Sequence, residues 1–192
     1  MEEPEAHLHP QYQNTFFEYL NELQSKGLQV FVTSHSPTIT AKSDVNNISI
    51  LQRKQSIIQS FSFDELSEDD YPKESKRHLR KFLDTTKAQL FFANGVLLVE
   101  GVAEAIIIPI LAKKFLTEKI DLCKSGIELV NIGGVAFNHF GLLFNNDDER
   151  KRLLSKCAII TDSDPKDNGD ISDRAQKAKD VLELFLYLQD AH

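Results

Sequence analysis

Four acidic residues in the second half of the chain have types and spacing that suit a divalent metal site: Glu100, Glu104, Asp162 and Asp164. The first pair begins directly after an apolar run, and the second pair directly after another. Carboxylates that converge repel one another by roughly 1 to 4 kcal/mol per pair, and a divalent cation removes that cost. Ligation by oxygen alone favours Mg²⁺ or Mn²⁺ over zinc. Two such ions could activate a water molecule and stabilise the leaving oxygen of a phosphodiester.

Each of these acids also has an ordinary structural interpretation. A single Asp after a strand, such as Asp162 or Asp164, most often caps the next helix, and Glu104 alone would be an exposed helical residue. The combination is much rarer: an apolar strand, Glu-Gly, a second Glu four residues on, and an Asp-x-Asp after a later strand. Residues four apart lie on one face of a helix, so Glu100 and Glu104 can face the same cleft. We therefore favour the metal site.

The elements that must position these acids are apolar strands alternating with helices. Strands are predicted at 96–99, 127–132 and 157–161, and helices at 103–115 and 172–188. This alternation is typical of a parallel α/β sheet, whose strands all end at one edge. The first strand is followed by Glu-Gly, the second by Gly-Gly and the third by Asp-Ser-Asp, so these residues are expected to meet there.

The N-terminal half has a separate set of predicted elements. They are a helix at 11–25, a strand at 28–33, two strands of a hairpin at 47–51 and 56–63, and a helix at 75–92. The periodicity of apolar residues supports the helices, and short β-branched or aromatic runs support the strands.

The second half resembles the Toprim domain of topoisomerases, primases, RecR-type recombination proteins and OLD nucleases. The resemblance covers roughly residues 88–188 and rests on VLLVEGVAEA, IELVNIGG and AIITDSDP. It implies that Glu100, Asp162 and Asp164 are catalytic metal ligands. OLD nucleases carry an additional metal-site acid that matches Glu104. The run at 79–101 is especially similar to the OLD and Gabija nucleases.

Two motifs in the first third resemble parts of an ABC-type ATPase. EEPEAHLHP is similar to the end of a Walker B motif with its D-loop, and VFVTSHSP to the switch-histidine motif. The resemblance implies that Glu2 helps to hold Mg²⁺, Glu3 polarises the attacking water and His35 contacts the γ-phosphate of ATP. As isolated features the motifs are weak, since a lone His after a strand is more often structural.

An ATPase segment followed by a Toprim segment is the domain order of the OLD family. The predicted fold class is α/β: a Toprim-type parallel sheet flanked by helices, preceded by the C-terminal remnant of an ABC-type P-loop ATPase domain. The predicted divisions are ATPase end 1–63, connection 64–87 and Toprim domain 88–192, with the last expected to be incomplete at its C-terminus. The resemblance implies a DNA endonuclease that uses Mg²⁺ or Mn²⁺ and, in the intact protein, ATP. It also implies a homo-oligomer, a possible helicase-like partner and a role in phage or plasmid defence.

Other features keep alternative functions open. The sequence has no G-x-x-x-x-G-K-[ST] phosphate-binding loop, so this chain alone is not expected to bind ATP well. No position after Asp164 clearly matches the further acid and the catalytic Lys of OLD Toprim domains. The chain could therefore be a catalytically incomplete fragment that acts as an ATPase-associated regulatory or interaction module. A phosphate-accepting receiver domain would need an Asp on the middle strand and a Lys on a later one, and neither is evident.

Composition and charge fit a cytoplasmic protein. The 192 residues carry a net charge of −7, which argues against a general electrostatic affinity for nucleic acid but is compatible with acidic metal sites. No signal peptide is visible, and the longest apolar run, 106–112, is too short to cross a membrane. Cys123 and Cys157 have no metal-ligand spacing and are expected to be buried thiols in a reducing cytosol.

Overall fold

The computed structural model of the chain describes residues 1–115, 121–134 and 136–161. Its helices are α1 (Pro10–Ser25), α2 (Pro37–Lys42), α3 (Lys73–Phe82), α4 (Val102–Phe115) and α5 (Phe137–Gly141). Its strands are β1 (Ser49–Lys54), β2 (Ile57–Ser62), β3 (Gly95–Val99), β4 (Ile127–Asn131) and β5 (Lys156–Ile160). Short 3₁₀ turns are formed by Val45–Asn47, Lys87–Phe91, Leu142–Phe144 and Glu149–Lys151. The predicted helix at 172–188 lies outside the described residues.

Strands β3, β4 and β5 form a parallel sheet with β3 in the middle, in the order β4-β3-β5. Val99, the last residue of β3, pairs with Asn131 of β4 and with Ile160 of β5. All three strands therefore end at the same edge, and the residues that follow them gather there. The three predicted strands and the predicted α/β fold class are confirmed.

The main hydrophobic core lies against β3 and joins both halves of the chain. Val96 and Leu98 of β3 contribute to it, and the segment after β4 adds buried aromatic side chains: Phe137, Phe140 and Phe144. Residues well before the sheet fill the rest of this core, among them Val45, Phe61, Phe63, Tyr71 and Leu79. A middle strand of a parallel sheet needs such cover, because its side chains are apolar on both faces. The predicted divisions 1–63, 64–87 and 88–192 remain predictions.

Two glutamine side chains of the β1–β2 hairpin form hydrogen bonds to the backbone of the segment before β5, and these bonds fix the hairpin to that segment. The side-chain amide of Gln52 donates through its nitrogen to the backbone carbonyl of Arg152 (3.0 Å). Its oxygen accepts from the backbone amide of Leu154 (2.6 Å). The side chain of Gln59, on β2, donates to the carbonyl of Glu149 (3.0 Å). A glutamine that donates and accepts in this way replaces the bonds that a neighbouring strand would make. The hairpin and the segment at 149–154 are thus held as one unit.

Helix α4 starts at the end of β3 and connects it to β4. Three of its isoleucines are largely exposed: Ile106 at 60%, Ile107 at 50% and Ile110 at 59%. Pro109 lies inside the helix and removes one backbone hydrogen bond there. Among the described residues no helix, α4 included, is long and apolar enough to span a bilayer.

The predicted strand at 28–33 is wrong for most of its length. Its backbone makes one parallel bridge, between Glu2 and Thr33, and the described residues supply no strand beside 28–32. Phe31 is consequently 73% exposed. An apolar β-branched run favours extended backbone, but a strand forms only where a neighbour takes its hydrogen bonds.

The predicted helix at 75–92 is two elements. Helix α3 ends at Phe82, and Leu83 is extended, with ψ of 98°. The carboxylate of Asp84 then accepts from the amide of Lys87 (2.8 Å), and the 3₁₀ turn at Lys87–Phe91 follows. A side chain of Asp that bonds to nearby amides competes with the helix for them, which explains the break.

The prediction of two buried thiols is correct for one cysteine. Cys157 of β5 is buried, and burial raises the pKa of its thiol to about 12. Cys123 is exposed. The difference arises because Cys123 lies in the turn before β4, where its apolar neighbours in the sequence do not form a buried strand.

Candidate metal and nucleotide sites

The candidate metal site lies at the carboxyl edge of the sheet, where backbone hydrogen bonds join the turns after β3 and β4. The amide of Ile132 donates to the carbonyl of Val99 (2.9 Å), and the amide of Gly134 donates to the carbonyl of Glu100 (3.0 Å). Gly133 and Gly134 have φ of 73° and 126°, which residues with a side chain rarely adopt. The two glycines thus allow the turn after β4 to fold over the end of β3, beside Glu100.

The side chain of Glu100 is held by the residue that follows β5. The hydroxyl of Thr161 donates to Oε2 of Glu100 at 2.8 Å. Val99 pairs with Ile160 at the ends of the two strands, so Glu100 and Thr161 both lie one residue beyond this pair. Both residues are half-buried. Thr161 immediately precedes Asp162 in the sequence. Glu100 therefore lies where the chain enters the Asp-x-Asp motif.

Glu104 lies in the first turn of α4 and reaches back toward the end of β3. A Cβ atom placed on Gly101 would be 3.0 Å from Oε2 of Glu104, so this carboxylate occupies the space beside the glycine. The amide of Ala105 donates to the carbonyl of Gly101 (3.2 Å), which starts the helix at that point. The structure thus brings Glu104 to the same turn as Glu100.

The donors at this edge suit a hard divalent cation. Glu100 and Glu104 offer carboxylate oxygens and Thr161 a hydroxyl, and oxygen ligands of this kind are those that Mg²⁺ and Mn²⁺ prefer. The other two predicted ligands, Asp162 and Asp164, lie outside the described residues. Within the part of the chain that is described, no group of three His, Cys, Asp or Glu side chains could hold an ion. The complete ligand set remains a prediction.

The candidate nucleotide site lies where the first three residues run beside residues 31–33. The amide of Glu3 donates to the carbonyl of Thr33 (2.9 Å), and Glu2 forms the parallel bridge with Thr33. The two predicted catalytic side chains meet here, since Nε2 of His35 is 3.5 Å from Oε1 of Glu3. Glu3 has φ of 38°, a left-handed conformation that is uncommon for a residue other than glycine. Such strained residues are frequent at functional sites.

The sequence-based assignment missed Glu5, which fixes the loop that carries His35. Glu5 is only 8% exposed, and its Oε1 accepts from the hydroxyl of Ser34 (2.5 Å) and from the amide of His35 (2.9 Å). Oε2 is buried and has no hydrogen-bond partner among the described residues. Ser36 then caps α2, accepting from the amide of Ile39 (3.3 Å). A carboxylate so deeply buried, two residues after Glu3, holds the His35 loop against the N-terminal segment.

The His35 loop is also packed against the segment that leads into the Toprim-like sheet. The ring of His35 lies 6.4 Å from that of Phe92, measured between centroids. Helix α2, which follows the loop, packs on the 3₁₀ turn at Lys87–Phe91. That turn is separated from β3 by only three residues. The two candidate sites are therefore linked by a short run of packed residues.

A stacked histidine pair lies apart from both candidate sites, between α3 and α5. The rings of His78 and His139 are 4.3 Å apart between centroids, with an angle of 27° between their planes. The hydroxyl of Ser75 is 2.9 Å from Nδ1 of His139. Burial lowers the pKa of both imidazoles, and the neighbouring His139 lowers that of His78 further. Both rings are thus disposed to remain neutral.

Comparisons with known proteins match two separate segments of the chain. Residues 91–164 match the Overcoming lysogenization defect protein-like TOPRIM domain, and residues 1–40 match an AAA ATPase domain. The chain is 28% identical to the Old nuclease of Escherichia phage P2 over 162 residues, which cover 84% of the chain and 28% of that relative. It is 27% identical to Endonuclease GajA of Bacillus cereus (strain HuB5-5) over 206 residues, 96% of the chain and 29% of that relative.

A third relative is the OLD nuclease of Thermus scotoductus (strain ATCC 700910 / SA-01), 31% identical over 115 residues. That match covers 55% of the chain and 21% of the relative, so the chain spans less than a third of the length of each of the three. The ATPase match precedes the Toprim match, in the order that the sequence motifs predicted. The chain is therefore similar to the OLD nucleases, with a match to an ATPase domain followed by a match to an OLD-like Toprim domain.

Proposed function

We propose that this chain is part of a metal-dependent DNA endonuclease that hydrolyses phosphodiester bonds at a two-metal Toprim site. The observation that carries the proposal is the arrangement at the end of β3. The backbone carbonyl of Glu100 accepts a hydrogen bond from the turn after β4, and its carboxylate accepts one from Thr161 after β5. The carboxylate of Glu104 lies beside Gly101, in the same turn as Glu100. The match to an OLD-like Toprim domain and the nuclease names of the relatives support it.

The chemistry follows from the donor set. Glu100 and Glu104, with Asp162 and Asp164 from the neighbouring motif, would hold Mg²⁺ or Mn²⁺. Bound ions supply Lewis acidity, which makes a water molecule nucleophilic and stabilises the leaving oxygen of the phosphodiester. The protein's part is to fix the carboxylates rigidly on strand ends, so that little reorganisation is needed when the substrate binds. The glycine turn beside Glu100 leaves room for a phosphate to approach the backbone.

We also propose that the N-terminal segment completes an ABC-type ATP site in the intact protein. In this proposal Glu2 contributes to Mg²⁺ binding, Glu3 polarises the attacking water and His35 contacts the γ-phosphate. The contact between Glu3 and His35 supports these roles, because the two side chains must act on the same phosphate. The match of residues 1–40 to an AAA ATPase domain supports the assignment.

The biological setting belongs to the same proposal. DNA is the expected substrate, since two of the relatives are named nucleases and GajA is named an endonuclease. We propose that the intact protein works as a homo-oligomer in the cytoplasm in phage or plasmid defence, together with a helicase-like partner. The similarity to the OLD nucleases supports this setting.

The test of the nuclease function is cleavage of supercoiled plasmid by the purified chain with Mn²⁺, with Mg²⁺ and with chelator. The expected result is nicking that needs the metal and is lost in Glu100→Gln, which keeps the size of the side chain but removes its charge. Glu18→Gln is the matched control, since Glu18 is an exposed acid on α1 and should leave nicking unchanged. Nicking that persists in chelator, or that survives Glu100→Gln, would contradict the proposal.

A second candidate function is a catalytically incomplete, ATPase-associated regulatory or interaction module. The observation that favours it is the Glu5 contact, which holds the His35 loop in place without help from the metal site. In this case the chain would not nick DNA under any metal, while its N-terminal segment would still bind the remaining part of an OLD-type ATPase. Co-purification of the chain with an ATPase segment that carries a phosphate-binding loop measures this directly.

A further inference from the structure

The resemblance to Toprim proteins assigns roles to acidic residues but none to Thr161, the residue just before the Asp-x-Asp motif. We propose that Thr161 is a positioning residue of the metal site, whose hydroxyl fixes the carboxylate of Glu100 for cation binding. This inference rests on the proposed function, because it concerns the same site. It adds a non-acidic residue whose loss should weaken metal binding although it need not touch the metal.

The position of Thr161 is set by the sheet and not by a loose turn. Val99 pairs with Ile160, so the backbone that carries Thr161 is held in register with the backbone that carries Glu100. Threonine is β-branched and has few rotamers, so a fixed backbone also fixes the direction of its hydroxyl. The result is a hydrogen bond of 2.8 Å from Oγ1 of Thr161 to Oε2 of Glu100.

The hydrogen bond is compatible with metal binding by the same carboxylate. An ionised carboxylate has about four acceptor positions on its two oxygens, and the hydroxyl uses one of them. A donor to one oxygen orients the plane of the group and the direction of the other oxygen. In metal sites generally, groups that hold the ligands in this way are worth about 10- to 100-fold in metal affinity.

An ordinary structural role for Thr161 would be a local one. Threonine hydroxyls at strand and helix ends usually bond to nearby backbone, where they stabilise a turn. Here the hydroxyl reaches a side chain 61 positions away in the sequence, at the residue that follows the neighbouring strand β3. The two interpretations differ in one respect that can be measured. A positioning residue acts through Glu100, so its effect on metal binding should vanish when the Glu100 carboxylate is removed.

The experiment measures the Mn²⁺ affinity of the purified 192-residue chain by electron paramagnetic resonance. Thr161→Val keeps the shape of the side chain but removes the hydroxyl, and Thr161→Ser keeps the hydroxyl. We expect the valine variant to bind Mn²⁺ about 10- to 100-fold more weakly, and the serine variant to recover most of the wild-type affinity. Thr15→Val is the matched control on the exposed face of α1 and should leave the affinity unchanged.

The same substitution in a Glu100→Gln background separates positioning from stabilisation. We expect Thr161→Val to cause no further loss of Mn²⁺ affinity there, because coupled residues are not additive. An equal loss in both backgrounds would show that Thr161 acts independently of Glu100, and would overturn the inference. If the valine variant does not fold, Thr161→Ala and Thr161→Ser carry the same comparison.

Two further outcomes distinguish the inference from the proposed function. Wild-type affinity in Thr161→Val, with weak binding in Glu100→Gln, would overturn the role of Thr161 and leave the metal site standing. Equal affinity in the wild type and Glu100→Gln would show that Glu100 binds no metal. That result would overturn the proposed function and the inference together.

Discussion

The buried carboxylate of Glu5 should be essential for the conformation of the loop that carries His35. Glu5→Ala removes the acceptor of two hydrogen bonds, from the Ser34 hydroxyl and from the His35 amide. The hydroxyl can rotate toward other acceptors, but the amide cannot. The alanine variant is therefore expected to loosen the chain from Ser34 to Ser36 and to separate His35 from Glu3.

The size of the effect follows from the two bonds. Hydrogen bonds to a charged group contribute about 1.5 to 3 kcal/mol each, and a buried donor left without a partner costs about 1 to 3 kcal/mol. Oε2 of Glu5 works in the other direction, because it is buried and no described residue bonds to it, and a buried polar atom without a partner destabilises the native chain. Taking these together, we expect Glu5→Ala to lower the free energy of unfolding by about 2 to 4 kcal/mol. Glu5→Gln, which keeps one carbonyl acceptor, should lose about half as much.

Urea unfolding of the chain gives the overall change, and amide hydrogen exchange of His35 gives the local one. Hydrogen exchange at the His35 amide should become faster, by a factor that corresponds to the free energy lost with its hydrogen bond to Glu5. Glu18→Ala is the control, because it removes an exposed acid from α1 without breaking a buried contact. An unchanged free energy of unfolding together with unchanged exchange at His35 would refute the reasoning.

The remaining predictions concern the fold around the sheet. Gly126→Ala should destabilise the chain by about 1 to 2 kcal/mol or more, because φ of 68° is unfavourable for alanine and its Cβ would lie 2.5 Å from the side-chain nitrogen of Asn94. Gly27→Ala, with φ of 86° and no atom within 4 Å, should cost only the backbone strain, and urea unfolding of both variants measures the difference. Lowering the pH should destabilise the protein through His78 and His139. Burial lowers the pKa of both in the folded chain, so the unfolded chain takes up protons first as the pH falls below about 6.5. Between pH 7.5 and 5.5 the unfolding temperature of the wild type should fall more steeply with decreasing pH than that of His78→Phe. Equal slopes in the two proteins would show that His78 does not contribute to the pH dependence of stability.

The sequence was sufficient to predict the sheet that carries the candidate metal site. Two of its strands contain continuous apolar runs, at 96–99 and 157–160, and the third, at 127–132, is apolar except for Glu128 and Asn131, which is close to the pattern of buried parallel strands. The turn residues after them, Glu100-Gly101 and Gly133-Gly134, could be placed at one edge from topology alone. Their meeting in the structure follows from the register of β3 with its neighbours.

Other features depend on contacts that a single stretch of sequence does not contain. The run at 28–33 has the residues of a strand but lacks a neighbouring strand among the described residues. The helix predicted at 75–92 is broken because the Asp84 side chain takes the amide of Lys87, and apolar periodicity does not reveal that competition. Glu5 and Thr161 were missed for a similar reason, since their partners lie 29 to 61 positions away. For Glu5 the sequence held one signal, a third acid within the Glu-Glu-Pro-Glu string.

The most direct test of the metal site is the thermal unfolding of the chain with and without Mn²⁺, beside Glu100→Gln and an Asp162→Asn, Asp164→Asn double variant. A ligand that binds only the folded state raises its stability by about 2.7 kcal/mol at a hundredfold excess over the dissociation constant. The expected result is a rise in the unfolding temperature of the wild type with Mn²⁺. Both variants should show little response to the metal and, because charge repulsion has been removed, higher stability without it. An unfolding temperature that Mn²⁺ leaves unchanged in the wild type, or raises equally in all three proteins, would contradict a metal site at the end of β3.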